Sequence, residues 1–265
     1  MNNEFLEVSI SAVRKSGGIL LDYFDKLHDA KQKNMNLRDI VTEVDLLSEK
    51  KIREIISYNY PGHLFVGEEM QNECKTANSG DIYKWYIDPI DGTVNYSQGI
   101  PLCAVSLALE INGVLSTGVI YNPLSDELFY ASKGGGAFLN GKNITVSNKK
   151  NMKECLFVGA FSSKRGLAKK REYELFGEIN DTTRGALRIG SAALAMAYLA
   201  SARIDGFWSI DLFSWDLAAG ILLVKESGGK VLSNEREYSF GDSICYAANQ
   251  NIIYEFESVI KKYVG

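Results

Sequence analysis

Apolar positions Phe5, Val8, Ala12, Ile19, Leu20, Tyr23 and Phe24 recur at helical spacing, which predicts a long amphipathic helix laid by one face on something larger. A second helix is expected from about Glu43 to Tyr58, with Val44, Ile52 and Ile56 inward and Pro61-Gly62 ending it. The pattern then shortens to strands: "HLFVG" from His63, "YKWYI" from Tyr83, and "AVSLALEI" from Ala104, which Asn112-Gly113 folds back into "VLSTGVIY" as a hairpin. A further hairpin is expected through "ELFYASKGGGAFLNGK". Its three glycines precede a strand-like segment rather than a helix, so they read as a tight turn and not as a phosphate-cradling loop.

After about Asn148 the rhythm changes to alternating strands and helices. "CLFVGAF", "ALRIG" and "IDGFWSI" read as strands, Leu167–Ile179 and "SAALAMAYLASA" as helices, and "SWDLAAGILLVKE" as a helix stopped by Gly228 and Gly229. Short strands near Val231 and Tyr246 and a last helix from Asn251 complete the chain. The pattern predicts an α+β part over residues 1–148 and an α/β part over 149–265, joined without a linker or repeat into one layered unit.

Composition adds exclusions. The chain has 265 residues, 46% hydrophobic and 23% charged, as in ordinary globular proteins. No stretch reaches the roughly 20 apolar residues of a bilayer span, and the start "MNNEFLEVSI" lacks a signal-peptide pattern, so a cytoplasmic protein without membrane partners is expected. Cys74, Cys103, Cys155 and Cys245 are far apart, and His28 and His63 are the two histidines, which argues against structural zinc or a disulfide framework. A formal net charge of -4 repels nucleic acid, and none is expected as a partner. The basic run Ser162–Glu172 reads first as a solvated face, and second as an attractor for a phosphorylated substrate.

The acids change the picture most. In "YIDPIDGT" a strand is expected to stop at Asp88, because Pro89 has no N–H for the ladder, and Asp91 follows on the same side. Gly92 and Thr93 would then offer backbone N–H groups to an anion at a helix start. "FVGEE" runs from a strand into Glu68 and Glu69, "RDIVTEVD" places Asp39, Thr42 and Asp45 at the mouth of the second helix, and "SWD" opens another helix on Asp216. Crowded carboxylates repel unless a cation lies between them, and oxygen ligands without His or Cys suit Mg2+ or Mn2+.

Taken together, "GEE", "DPIDGT", "DIVTEVD" and "SWDLAAGILLVKESGG" resemble the inositol monophosphatase family, within the lithium-sensitive, magnesium-dependent sugar phosphatases, over essentially the whole chain. The resemblance implies an αβαβα five-layer sandwich, a homodimer and two to three Mg2+ ions, with Mn2+ as a substitute and Li+ as an inhibitor. It implies that Glu68, Asp88 and the Ile90 carbonyl hold one metal, and that Asp88, Asp91 and Asp216 hold a second. A third, weaker ion would again use Glu68. Glu68 and Thr93 would orient and deprotonate the attacking water, with Asp45 behind Thr93 as its acceptor and Asp39 as an outer supporting acid. Asp91, Gly92, Thr93, Arg188, Gly190, Ser191, Ala192 and Ser209 would face the substrate. The activity implied is hydrolysis of a small phosphate monoester to alcohol and phosphate by metal-activated water.

One position departs from the family pattern. Inositol-specific members carry a glutamate six residues before the tryptophan of the WD pair, and Ser209 stands there in this chain. A neutral hydroxyl is a weaker acceptor than a carboxylate, so a relaxed phosphatase is expected, acting on inositol phosphates and other small sugar or nucleotide phosphates. NADP 2'-phosphate and fructose 1,6-bisphosphate are the next substrates in line. Asp211 could replace the missing acid only if the segment stays extended. A non-catalytic metal-dependent binding protein is the reading of a different class.

Overall fold

Alternation along the strands sorts the core into layers. The computed structural model describes residues 3–32, 37–70, 81–161 and 167–264, and the side chains of 3, 25, 27–32, 37–40, 167–169 and 264 fall outside that description. Asp39, Cys74, His28 and most of the basic run therefore lie outside it. The first sheet runs β1 (Leu64–Gly67), β2 (Tyr83–Asp91), β3 (Ala104–Ile111), β4 (Val114–Asn122), β5 (Glu127–Ser132), β6 (Gly136–Leu139) and β7 (Lys142–Ile144) in sequence order. Only the β1–β2 pair is parallel; the rest are antiparallel neighbours.

On one face of this sheet Trp85, Ile87, Leu107 and Leu109 pack on helices α1 (Asn3–Gln32) and α2 (Leu37–Asn59) through Leu20, Val44, Ile52 and Ile56. On the other face Tyr86, Ala108 and Ile120 meet α5 (Ala192–Ala200) and α6 (Ser214–Glu226), which follow α3 (Thr93–Gln98) and α4 (Leu167–Thr182) in the chain. Side chains alternate between the two faces while burial along the central strands is nearly continuous, as expected of a sheet covered on both sides.

Helices α5 and α6 are the shared filling. Their far side packs on a second sheet through Val158, Phe207, Val231 and Ala247. That sheet has the order β12 (Arg236–Glu237), β11 (Gly229–Ser233), β13 (Ile244–Asn249), β10 (Gly206–Ile210), β8 (Leu156–Ala160), β9 (Gly185–Leu187). Its outer face, with Phe157, Trp208 and Tyr246, is closed by α4 and α7 (Ile253–Val264) through Leu175, Ile179, Phe256 and Ile260. The layers are thus helix, sheet, helix, sheet, helix, the αβαβα architecture the sequence resemblance implies. Helices α5 and α6 are apolar almost all round, as a central layer requires.

Several local expectations are corrected. Helix α2 begins at Leu37, six residues before the position the apolar spacing suggests, so Asp45 lies inside the helix rather than at its mouth. Strand β2 continues through Pro89 to Asp91. Proline is tolerated there because β1 pairs with β2 only up to Ile87, leaving no ladder on that side for the missing N–H to break. Strand β9 ends at Leu187, which puts Arg188 in the turn before α5. His63, placed by the sequence at the start of a strand, lies just before β1, half-buried, stacked on Tyr83 at 4.3 Å and accepting the Trp85 indole N–H at 3.0 Å. The triple glycine does form a hairpin turn, tied down by Glu226, which accepts the Gly134 and Gly136 N–H groups at 2.8 and 2.9 Å. Among the described residues no helix is long and apolar enough to cross a membrane, and Cys103, Cys155 and Cys245 are free thiols.

Candidate functional site

Strand β2 delivers two acids to one place by an irregularity in its pairing. Its register with β3 runs to Asp88↔Ser106 and resumes at Asp91↔Ala104, so β2 spends one residue more than its neighbour. A bulge of this kind bends a strand and re-aims side chains. Asp88 and Asp91 are both buried, and each brings a carboxylate oxygen within 4.8 Å of the other and of Asp216.

Asp216 reaches the cluster from another layer. It is the third residue of α6, and its carboxylate accepts the Phe213 N–H at 2.8 Å, which fixes the first helical turn. Asp91 is held by α5: Ser191 donates a short hydroxyl hydrogen bond to it, and the Ala192 and Ala193 N–H groups donate at 3.2 and 2.7 Å. A carboxylate at a helix N-terminus is favoured by the free N–H groups and the helix dipole. Ser191 and Ala192, expected to face substrate, border the cleft beside the acids and also give these polar groups to Asp91.

Glu68 follows the last residue of β1 and is exposed at the rim of the cluster. The bend after β2 depends on Gly92, which adopts a left-handed conformation at φ 94° and comes so close to the next segment that a Cβ would lie 2.7 Å from the Leu102 carbonyl oxygen. Thr93 opens α3, and its hydroxyl donates to the Ile90 carbonyl at 2.9 Å. The expected bond from Thr93 to Asp45 is not the one the hydroxyl makes: its single proton goes to the i−3 carbonyl, a common local choice for Ser and Thr in a turn. Asp45 is nonetheless buried on α2, with Oδ1 lacking a hydrogen-bond partner.

The electrostatics are those of crowded acids. Burial, then Asp91, Glu68 and Asp216, push Asp88 well above the usual carboxylate range. Burial raises Asp91 to about 6, less than it otherwise would, because the Ser191 hydroxyl and the α5 N–H groups stabilise its charge. Asp216 rises to about 7 through burial and Asp91. Glu68 rises to about 7 as the surrounding protein withdraws water from it and Glu69 and Asp91 repel it. Asp45 rises to about 8 through burial, Glu69 and Glu68. Asp88 Oδ1 is buried without a hydrogen-bond partner. An all-oxygen, electron-rich donor set with an unsatisfied inward atom fits a hard divalent cation.

Beside the acids opens a cleft of about 140 Å³, bordered by Asp91 and Asp216, by Arg188 and Gly190 before α5, and by Phe161 and Leu212. The Arg188 guanidinium stacks over the Phe161 ring at 5.3 Å. Ser209 is buried in β10 and does not border this cleft. Asp211 does not replace it: strand geometry ends at Ile210, and Asp211 turns to φ 52°, so Leu212 is the residue that reaches the cleft. The wall formed by Val158 to Phe161 escapes sequence reasoning. Its signal is topological, since β8 and β10 are parallel neighbours whose C-terminal ends point the same way, the edge where open sheets gather ligands.

Residues 1–261 match the inositol monophosphatase family. An inositol-1-monophosphatase from Rhizobium meliloti is 35% identical over 265 residues, covering 97% of this chain and 96% of that protein. A protein named Nus factor SuhB from Pasteurella multocida is 33% identical over 238 residues, 90% of this chain and 88% of that one. A solved structure of an inositol monophosphatase from Anabaena superposes with a TM-score of 0.85 at 32% identity, covering 98% of this chain and 96% of that chain. With its layers, its acids and its whole length in agreement, this chain belongs to the inositol monophosphatase family.

Proposed function

We propose that the protein is a Mg2+-dependent phosphomonoesterase that hydrolyses inositol monophosphate and related small sugar or nucleotide phosphates to the alcohol and inorganic phosphate. The observation that carries this is the convergence of Asp88, Asp91 and Asp216 from a strand bulge and a helix start to within 4.8 Å, with a buried, unpartnered oxygen on Asp88. Glu68, the Ile90 carbonyl and these three carboxylates would hold the divalent ions, with Mn2+ able to substitute and Li+ acting as an inhibitor. Such ions lower the pKa of water and neutralise charge on phosphoryl and leaving-group oxygens.

The chain's own residues do the rest. Glu68 would take the proton of a water that the Thr93 hydroxyl oxygen helps to orient, with geometry rather than its metal-free pKa setting the role. The N–H groups of Gly92 and Thr93 receive phosphate oxygens. The cleft between Phe161, Arg188 and Leu212 receives the alcohol part. Among the described residues the cleft offers an apolar wall and the Arg188 guanidinium, and with the neutral Ser209 in place of a glutamate this favours small phosphorylated alcohols broadly over inositol alone.

Phosphate release with Mg2+ from inositol 1-phosphate, NADP, fructose 1,6-bisphosphate and simple sugar phosphates tests both levels. The expected kcat/KM values lie within a thousandfold of one another. A preference of a thousandfold or more for inositol 1-phosphate overturns the relaxed specificity, and no turnover of any ester overturns the phosphatase. The name Nus factor carried by the Pasteurella relative favours a second reading, a metal-dependent binding protein, against which stands the complete set of Asp45, Glu68, Asp88, Asp91, Thr93 and Asp216.

A further inference from the structure

A buried ion pair lies directly behind Glu68. Glu49, on α2, is fully buried, and its Oε1 accepts from Arg53 through Nε at 2.8 Å and through a terminal nitrogen at 2.6 Å. The other oxygen, Oε2, accepts the Glu69 backbone N–H at 2.9 Å. Arg53 in turn donates to the Met70 carbonyl at 3.2 Å and lies over the Phe65 ring at 5.0 Å. On the near side, Gly67 presses so close that a Cβ there would fall 2.1 Å from Glu49 Oε1 and 2.9 Å from an Arg53 nitrogen. Glu68 is therefore bracketed: the residue before it is packed onto the pair, and the two after it are hydrogen-bonded to it.

Burying two charges is a poor way to gain stability, since an apolar pair of similar volume often does as well or better. What this pair supplies, and an apolar one cannot, is an acceptor for the Glu69 N–H and a donor for the Met70 carbonyl. Both fix a segment that has left the β1–β2 ladder, whose last register pair is Gly67↔Ile87. We propose that Glu49 and Arg53 are positioning residues that hold the turn after β1 so that the Glu68 carboxylate faces Asp88. The proposal rests on the reading of Glu68 as a metal and water ligand, and it adds α2 to the elements that set the geometry of the centre. Small displacements of a ligand that its supporting shell should fix are costly in metal sites, at about 10–100-fold in affinity.

The test compares two double substitutions in the full-length chain, neither of which leaves a buried charge unpaired. Glu49→Leu/Arg53→Met removes both hydrogen bonds to the turn, whereas Glu49→Gln/Arg53→Met keeps an oxygen able to accept from Glu69. Thermal melting of the metal-free proteins and calorimetric titration with Mn2+ in the absence of substrate are the two readouts. The expected result is melting close to that of the wild type for both, Mn2+ affinity at least tenfold weaker for the Leu/Met variant, and recovery of most of that loss in the Gln/Met variant. Gly67→Ala, which keeps both charges and pushes the turn off them, is expected to show the same tenfold loss and serves where the Leu/Met variant does not fold. Wild-type Mn2+ affinity in the folded variants overturns the positioning role alone. A wild-type chain that takes up no Mn2+ overturns the metal reading of Glu68 and the proposal with it.

Discussion

Asp88 is the residue on which function and stability pull hardest against each other. Its carboxyl is 1% exposed, flanked by Asp91, Glu68 and Asp216, and one of its oxygens has no hydrogen-bond partner. Replacing it with asparagine keeps the shape and removes a charge that only a cation can offset. At pH 8 without divalent ions, Asp88→Asn is expected to raise the melting temperature, by about 2–4 °C for each kcal/mol of relieved repulsion. With Mg2+ the same variant is expected, on the proposed function, to lose more than about 100-fold in phosphate release, since Asp88 would be one of the carboxylates that hold the divalent ions. Calorimetric melting and a phosphate assay on one preparation check both, and a variant that melts lower than wild type without metal contradicts the account. The identity of such residues is legible in sequence because carboxylates placed where apolar runs stop have no packing use. Their partners are not: nothing in "DGT" or "TEVD" says that Thr93 bonds Ile90 while Asp45 Oδ1 is buried without a partner, because that choice depends on where two distant segments are set.

At the scale of elements, the site is made by departures from regular structure. The extra residue between Asp88 and Asp91, the left-handed Gly92, and the helix starts at Ser191 and Phe213 turn four segments toward one point. Apolar spacing finds most of the helices and strands, since burial of one face imposes a period and burial of both leaves a bounded apolar run. It misplaces the start of α2 and the end of β2, because charges inside a helix and a proline at an unpaired strand position look like boundaries when neighbours are unknown. Gly92 shows how much rests on such a departure. Gly92→Ala must hold an L side chain at φ 94° and also clear the Leu102 carbonyl, 2.7 Å from its Cβ. The expected cost is about 2 kcal/mol or more, a drop of about 4–8 °C in melting temperature. Turnover should fall beyond what the folded fraction explains, as Thr93 follows directly. Unaltered kcat in the folded variant counts against a role for this turn in presenting Thr93 to the phosphate.

The whole molecule responds to pH through the same cluster. Carboxyls whose folded pKa is raised bind protons more tightly folded than unfolded, so their contribution is fully present below the ordinary carboxylate range and is lost as pH rises through the folded values. Those values are about 6 for Asp91, about 7 for Glu68 and Asp216 and about 8 for Asp45, against ordinary values of 3.8 and 4.5. The metal-free protein is therefore expected to lose stability progressively from about pH 4 to about pH 8. A divalent ion must displace these protons to bind, so it competes poorly in acid and well in mild base. The rise in melting temperature caused by Mg2+ is expected to be small at pH 5.5 and large at pH 8, where the ion also removes the repulsion that destabilises the apo form. In Asp88→Asn both the pH slope of the apo protein and the Mg2+ increment should shrink together, because one set of charges produces them. Melting scans across this range with a chelator and with Mg2+ check the coupling: an increment that is constant with pH, or larger in acid, means that the ion stabilises the fold somewhere other than among these carboxylates.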